Sequence, residues 1–352
     1  MTITYTHTLI GGGKKYTFNI GGAGCSKKIT RAPTFIDRDP IQIYGFGQDS
    51  IAIFKTNTQL LLSLADGHGT KKEGQDISYK IHEYILTYIS ESQPFILNKL
   101  REHDHDSVIS KINELFALVN DIILNKDEIT SKYNIGGTTL TILHKIIDPI
   151  DGTLYSLSYN IGDSPYFKIN YNTKSDELSV EELSENQNCD NIKYVESYYN
   201  NCLKKGVTPS PIILGRFNKP NYYKTPWMGD EPIEPYKYEI IDGKYKITQN
   251  TDVMKQFYEK APTSLKQNTL YSGGSQSIRD KPENISGLAY GLFPMENFGS
   301  TINGDLQNIY SFGDKTSYLN HHIMCVPHVT INKITSSHYD FVGSDGPIDC
   351  LT

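Results

Sequence analysis

A chain of 352 residues with 38% hydrophobic and 21% charged side chains is long enough for one large or two medium globular domains, each with a substantial core. Its formal net charge of −6 and pI near 5.9 give no electrostatic footprint for nucleic acid or an anionic membrane surface, so partners recognised by charge alone are excluded. Five cysteines, at positions 25, 189, 202, 325 and 350, are odd in number and widely spaced, and read as reduced thiols, not as a disulfide framework or a zinc site.

The opening residues, MTITYTHTLIGGGKKYTF, have neither a basic region nor an apolar leader core, and no run of about 18 apolar residues occurs. A cytoplasmic monomer without a membrane span is expected. The many Tyr, Asn, Ile and Lys fit an AT-rich coding genome, such as that of a large DNA virus, in which case the virion is a second location. Glycine clusters at 11–13 and 21–24 around alternating Tyr16, Phe18 and Ile20 predict a strand or hairpin, since no Gly-Lys-Ser/Thr follows to make a phosphate loop.

Residues 50–54 (SIAIF) and 59–65 are apolar runs separated by a polar 55–58 turn, which predicts two adjacent strands. The second stops at Asp66-Gly67-His68-Gly69. In an antiparallel hairpin the start of the first strand lies beside the end of the second, so Asp49 and Asp66 are expected together. Two close carboxylates favour a cation between them. A following glycine lets the backbone approach that ion and offer a carbonyl oxygen. Two helix-period segments come next, carried by Ile77, Ile81, Ile85 and Tyr88 and by Val108, Ile112, Leu115, Phe116, Val119 and Ile123, joined by a polar loop containing HDHD at 103–106. That tetrapeptide reads as a solvated connection before a metal site.

Residues 136–147 and 153–161 predict a strand pair whose second member runs into Gly162-Asp163-Ser164. From 170 to 304 the chain turns polar and is broken repeatedly by proline. A helix at 191–203 and a hairpin at 236–247 about Asp242-Gly243 interrupt it. Order returns at 306–314, 323–331 and 339–349, and the last of these carries an apolar strand into Ser344-Asp345-Gly346.

Asp49, Asp66, Asp163 and Asp345 thus all fall at expected strand ends. The stretches GQD at 47–49, ADGHG at 65–69, GGTTL at 136–140, NIGDS at 160–164, SFGD at 311–314, VPHVT at 326–330 and GSDGPID at 343–349 resemble, in order, the metal-dependent serine/threonine phosphatases of the type 2C (PPM) family. The resemblance runs from about residue 30 to the end, apart from an insertion of roughly 80 residues.

The resemblance implies an α+β fold, a four-layer α-β-β-α sandwich of two antiparallel sheets with flanking helices. Residues 1–30 would precede it as a strand region, 31–352 would form the phosphatase domain, and about 170–304 an enlarged flap. It also implies two Mg²⁺ or Mn²⁺ ions, with a third, weaker ion in some members, and a phosphorylated protein as substrate. Carried over by motif, Asp66 is the bridging ligand, Gly67 a carbonyl ligand, Asp49 a ligand acting partly through water, and Asp345 a ligand of the first ion. Asp163 and Asp349 match acids that hold the additional ion, and His68 matches the proposed general acid.

The pattern also departs from the family. Gln48 stands where many members carry Glu. Gly45 and Tyr44 stand where an arginine often grips the phosphate, leaving Arg38 and Arg31 as the bases at hand. The sequence reaches Thr352 before the family's Asp-Asn pair and last strand, so the expected first metal site is weak. These departures keep one rival open, a pseudophosphatase acting as a binding module, and a phosphohydrolase of small molecules is a further one because a fold does not fix its substrate.

Overall fold

The computed structural model describes residues 2–23, 35–172, 176–216, 234–253, 255, 298–302 and 309–344. The chain divides into two units. The first comprises 1–185, 311–315 and 325–344, and the second 186–310, 316–324 and 345–352.

The first unit opens with β1 (Thr2–Gly11) and β2 (Lys14–Ala23), a hairpin turned at Gly12 and Gly13, both at positive φ. There follow β3 (Phe35–Arg38), β4 (Ile41–Phe46), β5 (Asp49–Lys55), β6 (Gln59–Ala65) and the two-residue β7 (Gly67–His68). Helices α1 (Lys71–Glu91), α2 (Gln93–Arg101) and α3 (His105–Asp121) come next. After them stand β8 (Gly137–Thr138), β9 (Leu140–Ile147), β10 (Leu154–Ile161), β11 (Tyr166–Asn172) and β12 (Glu177–Glu182). The second unit contains α4 (Ile192–Lys205), β13 (Ile212–Arg216), β14 (Tyr236–Ile241), β15 (Lys244–Gln249) and β16 (Phe298–Ile302). β17 (Phe312–Gly313), β18 (His328–Lys333) and β19 (Tyr339–Val342) complete the first.

The core of the first unit is a seven-stranded antiparallel sheet in the order β18-β10-β9-β6-β5-β4-β3. One face is covered by helices. Thr70 caps α1 by accepting from the Glu73 amide, and Ile77, Ile81, Ile85 and Ile89 recur at helical spacing and are fully buried. Arg101 of α2 forks onto the buried Asp148 carboxylate at the end of β9, with Nε donating at 2.6 Å and Nη2 at 2.8 Å.

The opposite face is covered by a second β layer. The hairpin β1–β2 inserts Ile3 and Leu9 among Ile53, Leu60, Ile147 and Leu154. Beside it, the three-stranded sheet β12-β11-β19 is pinned to the large sheet by Lys145 of β9, whose Nζ lies 2.8 Å from Asp340 Oδ2 and donates to Ser156 Oγ at 2.8 Å. Burial lowers the Lys145 pKa and Asp340 opposes that. Burial also pushes the Asp340 carboxyl up, but bonds from His338, Lys145 and Tyr166 outweigh it and hold the group at about 2. The α+β class with antiparallel sheets is therefore present.

In the second unit, α4 buries Tyr194, Val195, Tyr198, Tyr199 and Cys202 and ends on Gly206 at φ 67°. The hairpin β14–β15 packs on it: Tyr238 stacks on Tyr199 at 4.6 Å, and the Asn200 amide side chain bonds both backbone groups of Tyr245. Asp242 and Gly243 form its turn at positive φ, at the expected place.

Four local expectations are corrected. The connection after α1 is helix α2, not a polar loop: Pro94 opens it, and Asp104 of the HDHD stretch caps α3 by accepting from the Ser107 amide. Residues 136–147 do not form one strand, because the backbone breaks at Thr139 and sends 137–138 to a different small sheet. Residues 323–327 lie outside β18 and contribute only an isolated bridge between Met324 and Tyr310. β12 was missed because acids occupy both of its faces and hide the strand alternation. Among the described residues no helix is long and apolar enough to cross a membrane.

Candidate functional site

The hairpin β5–β6 is closed by Thr56, whose hydroxyl accepts from the amides of Thr58 and Gln59 at 3.3 and 3.1 Å. That turn sets the register: Lys55 faces Leu60 and Ser50 faces Ala65, where the pairing ends, and Asp49 and Asp66 are the next residues on either strand. The Asp66 carbonyl accepts from the Thr139 amide and from Thr138 Oγ1, each at 2.9 Å, which ties the end of β6 to the β8–β9 junction.

Beyond Asp66 the backbone leaves the large sheet and forms the edge of a small one, ordered β17-β8-β7. Gly67 is required there, because a Cβ at that position would stand 2.5 Å from both the Gln48 and Gly74 carbonyl oxygens. His68 faces Gly137 across β7–β8, and its Nε2 lies 2.7 Å from Asp314 Oδ2 at the end of β17. Asp314 is only 3% exposed, and the same oxygen accepts from Ser311 Oγ at 2.6 Å. Its amide donates to the Gly136 carbonyl at 2.7 Å while its backbone sits at φ 48°. The Asp314 carboxylate orients the His68 ring.

Behind the acid pair lies a buried hydroxyl–imidazole chain. Ser50 donates to the Ser78 carbonyl at 2.9 Å, so it accepts from His82 Nε2, and His82 Nδ1 in turn accepts from Ser63. Burial lowers the His82 pKa to about 3, so the ring is neutral and rigidly placed one residue from Asp49. Gln48 spends its amide on the Gly69 and Thr70 carbonyls at 3.4 Å each, bracing the turn into α1.

Asp163 ends β10, two strands from β6 with β9 between them, so strand spacing alone puts it roughly 10 Å from Asp66. Its turn is held by Ser164, whose hydroxyl meets Thr139 Oγ1 at 2.7 Å and whose carbonyl accepts from Thr141 and Asn160. Asp163, Asp66 and Asp49 therefore share one end of the sheet, the last two on neighbouring strands. Asp345, Asp349 and Arg31 lie outside the described residues. Arg38 ends β3, and His103 and Asp104 of the HDHD stretch belong to the α2–α3 turn.

Among the described residues no group of three or more His, Cys, Asp or Glu side chains is close enough to hold a metal ion. The donors the register does bring together, two carboxylates and a crowded glycine backbone, are hard oxygen ligands of the kind Mg²⁺ and Mn²⁺ take. Sequence reasoning does not reach Asp314 and Ser311 as site residues. The available signal was SFGD itself, a Gly-Asp step closing a short apolar strand as at Asp163.

No family model and no curated protein matches the sequence. Solved structures give low likenesses. The serine-threonine phosphatase 2C from Toxoplasma gondii has a TM-score of 0.46 and 10% identity, covering 90% of this chain and 83% of that one. A second Toxoplasma gondii phosphatase has a TM-score of 0.41 and 10% identity over 91% and 71%. A bacterial serine phosphatase carrying a point substitution has 0.38 and 13% over 87% and 74%. At such TM-scores these likenesses carry no argument about function, which rests on the residues of the site.

Proposed function

We propose that the protein is a metal-dependent phosphomonoester hydrolase acting on phosphoserine and phosphothreonine in proteins. The observation that supports this reading is that Asp49 opens β5 and Asp66 follows the end of its neighbour β6, with Gly67 and a His68 bonded to Asp314 directly after. Asp49, Asp66 and the Gly67 carbonyl would hold the ion, with Asp345 and Asp349 as further acids of the same motif set. When bound, Mg²⁺ or Mn²⁺ would supply a more acidic water and neutralise phosphate charge. His68, two residues on, would hand a proton to the departing serine or threonine oxygen, with Asp314, 2.7 Å from its Nε2, holding the ring for that transfer.

A second reading, a binding platform that keeps the fold without turnover, is favoured by Gln48. A neutral amide stands beside the acid pair and is used on backbone carbonyls. One experiment separates the two. Mn²⁺ and Mg²⁺ are titrated against p-nitrophenyl phosphate and a phosphothreonine peptide, with metal binding followed in parallel by calorimetry. Hydrolysis that requires metal and is lost in Asp66→Asn supports the enzyme. Metal binding without hydrolysis supports the platform, and hydrolysis indifferent to chelator or to Asp66→Asn overturns the first reading.

A further inference from the structure

The two halves of the second β layer differ on their outer faces. On the hairpin β1–β2 that face is polar: Thr6 Oγ1 donates to Asn19 at 3.0 Å, and Thr8 and Thr17 share a hydroxyl bond at 3.2 Å. On β12-β11-β19 it is apolar. The register sets Ile169 beside Val180 and Tyr339, and Tyr171 beside Leu178, all pointing away from the Lys145–Asp340 anchor on the inner face. Phe167 and Phe341 complete the row with ring centroids 6.3 Å apart. Exposure is high on its two outer strands, 67% for Leu178 and 62% for Val180 on β12 and 68% for Tyr339 on β19. Scattered apolar side chains on a surface need no explanation, but a contiguous sheet face of them marks an interaction site.

Size and charge select the occupant. Three strands spaced ~4.8 Å apart and about six residues long present roughly 300 Å². That is the footprint of one helix about 10 Å across. It falls well short of the ~800 Å² per partner that two globular copies need. Acids rim the face: Asp176, which accepts from the Tyr171 hydroxyl at 2.5 Å, and Glu182, paired with Phe167 at the other end of β12. Glu177 and Glu181 alternate onto the inner face, Glu181 beside Lys168. Lys168 is the one cation of these three strands, and the alternation puts it on the inner face. A second copy would bring the same acids against these.

We propose that the outer face of β12-β11-β19 docks an amphipathic helix of a partner protein, its apolar stripe laid across Leu178, Val180 and Tyr339 and its flanking Lys or Arg residues against Asp176 and Glu182. This inference stands on the second β layer and is independent of the metal-site reading.

The test uses the full chain and two fluorescein-labelled peptides of about 18 residues with the same helical pattern, one of Leu and Lys, the other of Leu and Glu. Anisotropy should show the Leu/Lys peptide binding at least about tenfold more tightly, less so as salt rises. Leu178→Ser with Val180→Ser, at exposed positions that leave the melting curve unchanged, should weaken it by a similar factor, and Glu182→Lys should narrow the difference between peptides. Equal binding of the two peptides, or indifference to the double substitution, overturns the proposal. A dimer by light scattering that dissociates in the double variant overturns it in favour of a second copy. A Leu178→Cys thiol protected from maleimide in the full chain overturns it in favour of a cover from the chain itself.

Discussion

The His68 ring bonds Asp314 at 2.7 Å although 246 positions separate them, and both are pressed against Gly137, where a Cβ would lie 2.1 Å from the carboxylate and 2.6 Å from Nε2. The middle strand of the small β17-β8-β7 sheet thus has a side-chain-free position so that an acid and an imidazole can meet across it.

If His68 delivers the proton, His68→Gln should cost about 10²-fold or more in turnover of a phosphoserine peptide, whose alkoxide leaves poorly. It should cost little with p-nitrophenyl phosphate, whose leaving group needs no proton. Asp314→Asn should show the same split more weakly, since it disturbs orientation and leaves the ring in place. Equal losses on both substrates would remove the assignment.

Gly137→Ala tests the same contact through stability. The added methyl must displace a backbone-tethered carboxylate, because Asp314 is fixed by its amide bond to Gly136 and by Ser311. Overpacking of this kind costs about 1–3 kcal/mol. Thermal or urea melts should register it, and Gly21→Ala offers a control, a strand position with nothing near its Cβ and no positive φ. An unchanged melt for Gly137→Ala would mean that the pair readily reorients.

The hairpin β5–β6 is within reach of sequence reasoning because two apolar runs separated by a short polar turn leave little choice but antiparallel pairing. Ile77, Ile81 and Ile85 announced α1 by their helical spacing. The His68–Asp314 bond was beyond that reasoning, since it depends on how a two-residue strand at 312–313 pairs with another at 137–138, and no periodicity exists over two residues. Helix α2 was hidden by its brevity and by Pro94, which reads as a breaker yet occupies the first turn of a helix, where its missing N–H costs nothing.

Two buried histidines set the acid limb of stability. His82 and His144 are both fully buried, and burial lowers each pKa to about 3 from 6.5. Nδ1 of His144 meets the Tyr159 hydroxyl at 3.0 Å, and its Nε2 has no hydrogen-bond partner. Between those two values the unfolded chain binds protons that the folded chain refuses, so stability is full above pH 6.5 and falls as pH drops toward 3. The slope approaches ~1.4 kcal/mol per pH unit for each ring. Asp340, held at about 2, titrates below this range and does not confuse it between pH 6.5 and 5. His144→Leu should flatten the urea-stability slope in that interval by about one proton. An unchanged slope would mean that the ring takes up its proton in the fold.

Chelator and metal should act oppositely on the Asp49–Asp66 pair. Directly opposed strand residues have Cβ atoms about 5 Å apart, and two partly exposed carboxylates at that range repel by roughly 1 kcal/mol after screening. With EDTA present, Asp49→Asn removes one charge and should raise the melting temperature by about 2 °C. With saturating Mn²⁺ the order should reverse, because the wild-type chain gains RT ln(1 + [Mn²⁺]/Kd), about 2.7 kcal/mol at a hundredfold excess over Kd, and the variant gains less. Calorimetry on both proteins gives Kd independently of any turnover, so the outcome speaks to metal binding even if no substrate is found. If Mn²⁺ shifts wild type and Asp49→Asn alike, the ion sits elsewhere, and the strand end that unites these two acids is not its site.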